Sequence, residues 1–265
     1  MGDEQAGQSK TLVRGLSILR ACATSRHGLT LVEIAEHTEL APSTVHRLLT
    51  TLESLEFLSV DTETGRWRIA VAGFEIGNAF IRSRDYIAQL RPLMTELSEA
   101  TGETVNLAIL SDERALFVSQ VESGHMMRMV APLGSRAPLH ASSAGKALLA
   151  GSSDEVRDLI IDGLEYPELT VHTLKTQKAY RLEIETVIAD GCAYDREEHV
   201  VGMQCVAAPV FNEIGEPICA LSISGPSVRM DAERLRSNAQ AVRRACAEAT
   251  NLLGGQPPAH WHAYD

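Results

Sequence analysis

Two short stretches carry residue types whose spacing could do chemistry. In the first, Pro42-Ser43-Thr44-Val45-His46-Arg47-Leu48-Leu49-Thr50-Thr51-Leu52, the apolar residues Val45, Leu48, Leu49 and Leu52 fall at i, i+3, i+4 and i+7. That is the stripe of a helix with one buried face. Ser43, Thr44, Arg47 and Thr51 are left outward, with His46 and Thr50 at the margins. Short hydroxyls let a helix lie close in a major groove, and an arginine offers a fork to guanine or a clamp to phosphate. The same spacing also suits a bundle helix whose outer face is only hydrated. In the second stretch, His140-Ala-Ser-Ser-Ala-Gly-Lys146, small residues open a helix. Small side chains there expose the first backbone N–H groups, which with the helix dipole favour an anion, such as a carboxylate near Ser143 and Ala144. Ser222 and Ser224 alternate on one strand, so their hydroxyls share a face. Asp195 follows a short strand, and Cys205 begins another. Read alone, the serines could simply bond backbone and Cys205 could be a small buried hydrophobe.

The elements that must position these groups are legible in outline. A first helix starts near Leu12 and stops at Ser25-Arg26-His27-Gly28. Thr30 with Glu33 three residues on has the capping-box pattern and predicts a second helix to Thr38. Pro42 suits the first turn of the third. Two β-like runs, 57–60 and 66–69, flank Asp61-Thr-Glu-Thr-Gly65, a hairpin signal. Two helices and a tight turn before a third, polar-faced one make a helix-turn-helix, and the hairpin makes it winged. Arg66 and Arg68 would then reach an adjacent backbone or minor groove. Residues 71–83 and 86–101 read as linking helices, with Arg91-Pro92 a kink or a start. Beyond them strands are expected at 105–110, 115–121, 126–130, 192–194, 205–211 and 218–223. Helices are expected at 142–150, 154–161, 177–189 and 231–253. Strands outnumber a simple βα alternation, which favours an antiparallel sheet flanked by helices in an α+β protein. The expected division is a disordered arm 1–9, a winged helix-turn-helix 10–70, linking helices 71–101, a C-terminal domain 102–254 and a flexible tail 255–265.

Composition narrows the classes. The chain has 265 residues, 45% hydrophobic and 22% charged, ordinary for a folded protein of about two domains. No run approaches the ~18 apolar residues of a membrane span, and the polar, acidic start has no secretory apolar region. Five scattered cysteines without a C-x-x-C fit a reducing cytoplasm rather than a disulfide framework or a zinc site. His140 and His199 lack metal-ligand spacing, so no metal is expected. The net charge of −11 is unevenly placed: residues 1–84 hold nine basic and ten acidic residues, the rest 15 and 25. A near-neutral head on an acidic body is compatible with local phosphate contacts. A nucleophile set of Cys205 with His140 or His199 and Asp195 can be imagined, but no hydrolase elbow, zinc-protease or phosphate-loop motif supports an enzyme.

The ordered motifs resemble the IclR family of bacterial transcription regulators. Leu31-x-Glu33-Ile34-Ala35 followed by Pro42–Leu52, and Asp61-x-x-Thr64-Gly65-Arg66-Trp67, are similar to its winged helix-turn-helix. The similarity continues through Thr101–Ala108, Arg128-Met129, Pro138–Ser142, Ala144–Leu149, Asp195-x-Glu197-Glu198-His199, Gly202–Val210 and Leu221–Pro226. It covers roughly residues 10–255. The resemblance implies a GAF-like effector domain, binding to double-stranded operator DNA, dimers that pair into tetramers, and control by a small carboxylate metabolite without a resident cofactor. Most members repress. Glyoxylate-responsive members bind their ligand with positions matching Ser143, Ala144, Asp195, Cys205, Ser222 and Ser224, and their apolar walls match Met126, Met129, Ala137 and Met203. Ser143 departs from the glycine of the close matches. A carboxylate such as Asp195 repels an anionic ligand unless the ligand donates a hydrogen bond back. Hydrated glyoxylate, glycolate or another small hydroxy acid does so. A larger or aromatic acid, or a C-terminal domain that only assembles the protein, are the competing readings.

Overall fold

The computed structural model describes residues 9–82 and 84–261. The expected arm, apart from Ser9, and the last four residues of the expected tail lie outside the described residues. The chain divides into two compact units, residues 1–84 and 85–265.

The first unit contains α1 (Lys10–Ala23), α2 (Leu31–Thr38), α3 (Pro42–Ser54), β1 (Leu58–Asp61), β2 (Arg66–Ile69) and α4 (Val71–Arg82). Its core joins Ile18 and Cys22 of α1, Ile34 of α2, Val45, Leu48 and Leu49 of α3, and Leu58 of β1, with Trp67 packed against them. The capping box at α2 is complete: Thr30 Oγ1 accepts from Glu33 N, and Glu33 Oε2 accepts from Thr30 N at 2.7 Å. β1 and β2 pair antiparallel, and Leu29 bridges to Trp67 to tie the wing to the helices. Gly28 permits that bridge. Its φ is +76°, and a Cβ would sit 2.7 Å from the Trp67 carbonyl oxygen.

The second unit contains α5 (Asp85–Thr101), β3 (Thr104–Ser111), β4 (Arg114–Val121), β5 (Arg136–Pro138), α6 (Ser143–Gly151), α7 (Asp154–Gly163), α8 (Gln177–Asp190), β6 (Ala193–Arg196), β7 (Met203–Phe211), β8 (Pro217–Pro226) and α9 (Ala232–Leu252). The sheet is antiparallel throughout, in the order β5-β4-β3-β8-β7-β6. Ala108, Ala207 and Ala220 cluster with Ala144, Ala147 and Leu148 of α6 and with Tyr180 and Ile184 of α8. Alternation turns Val206, Leu221 and Ile223 the other way, and they too are buried. Both faces are covered, with α5 against β3 and β4 and α9 against β7 and β8. The α+β class and the antiparallel sheet flanked by helices are as expected.

Four local expectations are corrected. Residues 126–130 are not a strand: after β4 the chain runs irregularly, and the edge position is taken by β5, whose Ala137 pairs with Ala115. Of the two readings of Arg91-Pro92, the helix start is the one that falls, because Pro92 lies inside α5. Buried Ile87, Leu90, Met94 and Leu97 hold both halves on the sheet, offsetting the lost N–H. The two helices expected as a linker divide between the units, α4 in the first and α5 in the second. The tail is not loose to its end. Gly255 N donates to Thr250 O, Gln256 N donates to Asn212 O, and Trp261 is buried edge-on against Phe211 with ring centroids 5.5 Å apart.

Candidate functional site

In the first unit α3 presents Ser43, His46, Arg47, Thr50 and Thr51 exposed and Thr44 half-buried. Ala41 gives no side-chain cap, and Pro42 opens the helix, so the first turn is unblocked. Thr51 Oγ1 donates to Arg47 O and Thr50 Oγ1 to His46 O, which commits those two protons to the helix. Among the described residues Arg47 has no ion-pair partner and is the long cation of this face. Arg66 is placed differently from the expectation. Its guanidinium donates to Gly28 O at 2.8 Å and meets Glu33 Oε2 at 3.2 Å. It therefore fastens the wing to the α2 cap, while Arg68 on the same strand is more exposed.

In the second unit a cavity of about 260 Å³ lies between the sheet and the start of α6. Ser143, Ala144, Asp195, Met203, Cys205, Ser222, Ser224, Met129 and Ala137 all line it. Met126 does not: it is fully exposed, because its segment has left the sheet. The register explains the convergence. Asp195 on β6 pairs with Cys205 on β7, which pairs with Ser224 on β8, and Ser222 pairs with Asn106 on β3. Directly paired residues point to the same face.

The polar groups are individually braced. Ser142 Oγ accepts from Gly145 N, so Ser142 is the cap and Ser143 is not. Ser143 is 2% exposed, and its hydroxyl has no hydrogen-bond partner among the described residues. Asp195 is buried. Its Oδ1 accepts from Glu198 N at 2.8 Å and His199 N at 3.3 Å. Burial pushes its carboxyl up to about 7 against those two N–H groups. Burial likewise raises the Cys205 thiol far above its ordinary value, with the Asp195 charge adding to it, which removes it as a nucleophile. Burial lowers the His199 imidazole, which lines the cavity as a neutral ring. Behind Asp195, Lys146 is fully buried. Its ammonium meets both Glu198 oxygens at 2.7 Å, Glu183 Oε1 at 3.0 Å and Tyr194 O at 2.8 Å.

Sequence reasoning missed several lining residues, chiefly Asn106, Phe117, Val130, Pro132, Arg136, His199 and Val200. Asn106 left a signal, a lone amide in the apolar run 105–110. Its Nδ2 donates to Ser224 Oγ at 3.2 Å, and its Oδ1 accepts from Gln120 Nε2 at 2.6 Å. With its lone pair so engaged, the Ser224 hydroxyl can turn its proton to a ligand. The loop residues carried no periodic signal. His140, expected to be structural, faces Pro167 O at 3.1 Å and Tyr166 edge-on.

A winged helix-turn-helix with an exposed polar face on α3, joined in one chain to a sheet domain with a cavity of mixed polar and apolar lining, defines a DNA-binding transcription regulator. The chain belongs to the IclR family: the model of the IclR helix-turn-helix domain matches residues 11–62, and that of the bacterial transcriptional regulator IclR C-terminal domain matches residues 78–251. It is 38% identical over 251 residues to the transcriptional repressor IclR of Escherichia coli strain K12, covering 94% of this chain and 92% of that protein. It is 40% identical over 248 residues to the HTH-type transcriptional regulator BhcR of Paracoccus denitrificans, covering 94% and 88%. The crystal structure of Thermotoga maritima IclR superposes with a TM-score of 0.78 at 24% identity, covering 92% of this chain and 98% of that one, a likeness of fold. Among the described residues no helix is long and apolar enough to cross a membrane.

Proposed function

We propose that the protein is a repressor whose hold on operator DNA is controlled by a small carboxylate carrying a donor hydroxyl, with hydrated glyoxylate or glycolate the smallest candidates. The observation that carries this reading is the cavity at the α6 N-terminus. Backbone N–H groups at Ser143 and Ala144 suit a carboxylate, and Asp195, Ser222 and Ser224 suit hydroxyls. On the DNA side Ser43, Thr44 and Arg47 approach the major groove. His46 and Thr51 flank them, and Arg66 acts by holding the wing. Exposed Leu12 and Leu16 on α1 and Val71, Phe74 and Ile76 on α4 support assembly as a dimer, paired further on DNA. Such a protein works in the cytoplasm, where operators are.

Calorimetry with glyoxylate, glycolate, pyruvate and acetate tests the effector. The hydroxylated acids are expected to bind more tightly than acetate, and Asp195→Ala to erase the difference. Equal binding of acetate removes Asp195 from recognition. For DNA, Arg47→Ala is expected to weaken binding to the protein's own upstream DNA by about 1–3 kcal/mol and to flatten its salt dependence by about one unit of slope. A gel shift at fixed salt with unchanged affinity rejects the α3 assignment.

A further inference from the structure

The cavity is larger and less uniform than a two-carbon acid requires. Five heavy atoms in glycolate and six in hydrated glyoxylate, each taking no more than the ~30 Å³ share of a water in the liquid, leave part of 260 Å³ unfilled. The lining is also divided by strand. Asp195, Cys205 and Ser224 stand on β6, β7 and β8, and the small-residue start of α6 faces them. On the far side Phe117 on β4 and Ala137 on β5 continue into Met129, Val130 and Pro132 of the loop before β5.

The apolar end is built, not left over. Gln120 Nε2 donates both to Asn106 Oδ1 at 2.6 Å and to Ala131 O at 3.2 Å, pinning the loop that carries Met129, Val130 and Pro132 to the sheet. Phe117 N donates to Ser135 O, and Gly134 N donates to Phe117 O. The amide that orients the Ser224 hydroxyl thus also positions the apolar wall. Two ends of opposite character are held at fixed separation by one hydrogen-bond chain.

From this we infer that the effector is a 2-hydroxy acid bearing a branched aliphatic or single-ring apolar arm. Its carboxylate and hydroxyl lie at Ser143, Ser224 and Asp195, and its arm lies against Phe117, Met129 and Pro132. The inference rests on the hydroxy-acid reading of the polar end and adds the second end. Each methylene buried there raises affinity about fourfold.

Calorimetry on the full chain with glycolate, 2-hydroxy-4-methylpentanoate, mandelate and 4-methylpentanoate separates the two claims. The two armed hydroxy acids are expected to bind at least tenfold tighter than glycolate, and 4-methylpentanoate, lacking the hydroxyl, more weakly than its hydroxylated counterpart. Met129→Ala, in an irregular loop, and Phe117→Leu are expected to reduce the advantage of the armed acids and leave glycolate unchanged. Glycolate binding as tightly as the armed acids overturns the apolar arm while the hydroxy-acid reading stands. Binding of none of the four overturns both.

Discussion

Each unit of the chain contains a knot of charged and polar groups, and the two knots answer protons in opposite directions. In the DNA-binding unit Glu33 accepts from Thr30 N and meets Arg66 at the surface, where both side chains are over a third exposed. The Thr30 N–H, then its hydroxyl, hold the Glu33 carboxyl below its ordinary value. In the second unit Asp195 of β6, Glu198 and Lys146 are buried together, and burial raises both carboxyls. A lowered acid supports the fold above its unfolded value and loses that support as pH falls through the folded one. A raised acid does the reverse: Asp195 costs nothing below its unfolded range, and its cost is complete once pH passes about 7. Exposure makes a knot adjustable, whereas burial makes it obligatory and leaves a charge that is costly to keep.

The contrast is most sharply tested by removing a charge from the buried knot. Lys146→Met leaves Glu198 and Glu183 facing one another without their cation and is expected to cost about 3–5 kcal/mol in urea unfolding. Asp195→Asn is expected to stabilise the protein at pH 8 by on the order of 2 kcal/mol, an advantage that shrinks toward pH 5 as the native aspartate protonates. The groups packed around it, Glu198, Lys146, Cys205 and His199, stay in place in both proteins, so the difference between the two pH curves isolates this carboxyl. Thermal melts across that range check it, and a gain independent of pH would mean that Asp195 is already neutral at pH 8. In the exposed knot Thr30→Ala is expected to cost only about 1 kcal/mol. Glu33→Gln is expected to lower the melting temperature slightly at pH 7, an effect that fades only as pH falls below the ordinary glutamate range and the folded carboxyl protonates. If Thr30→Ala proves as damaging as Lys146→Met, the distinction between the knots fails.

What the sequence showed and what it hid follow the same division. Helices with periodic stripes and side-chain caps were readable to within a residue or two: Thr30 with Glu33, Pro42 at the head of α3, and Asp231 ahead of α9. The serines of β8 could be assigned a face and the small-residue start of α6 a dipole, but it was the family resemblance that gathered them into one site. Asn106 and Gln120 stayed hidden because an amide in an apolar strand gains its meaning from a cross-strand partner. Arg66 looked free for DNA because its partners, Gly28 O and Glu33, lie more than thirty residues away. Met126 was carried into the pocket by resemblance, yet its backbone turns away before β5. The tail looked loose because Gly254-Gly255 and Pro257-Pro258 signal irregular chain, and irregular chain can still deliver an anchor.

That anchor has a practical optical consequence. The protein has two tryptophans. Trp67 sits half-buried on the wing against the helical core of the first unit, and Trp261 sits buried against Phe211 in the second. Nature has thus placed one intrinsic fluorophore in each half of the chain. With Trp67→Phe and Trp261→Phe made separately, the remaining emission reports on one half at a time, so the unfolding of the helix-turn-helix unit and of the sheet unit can be watched independently without any added dye.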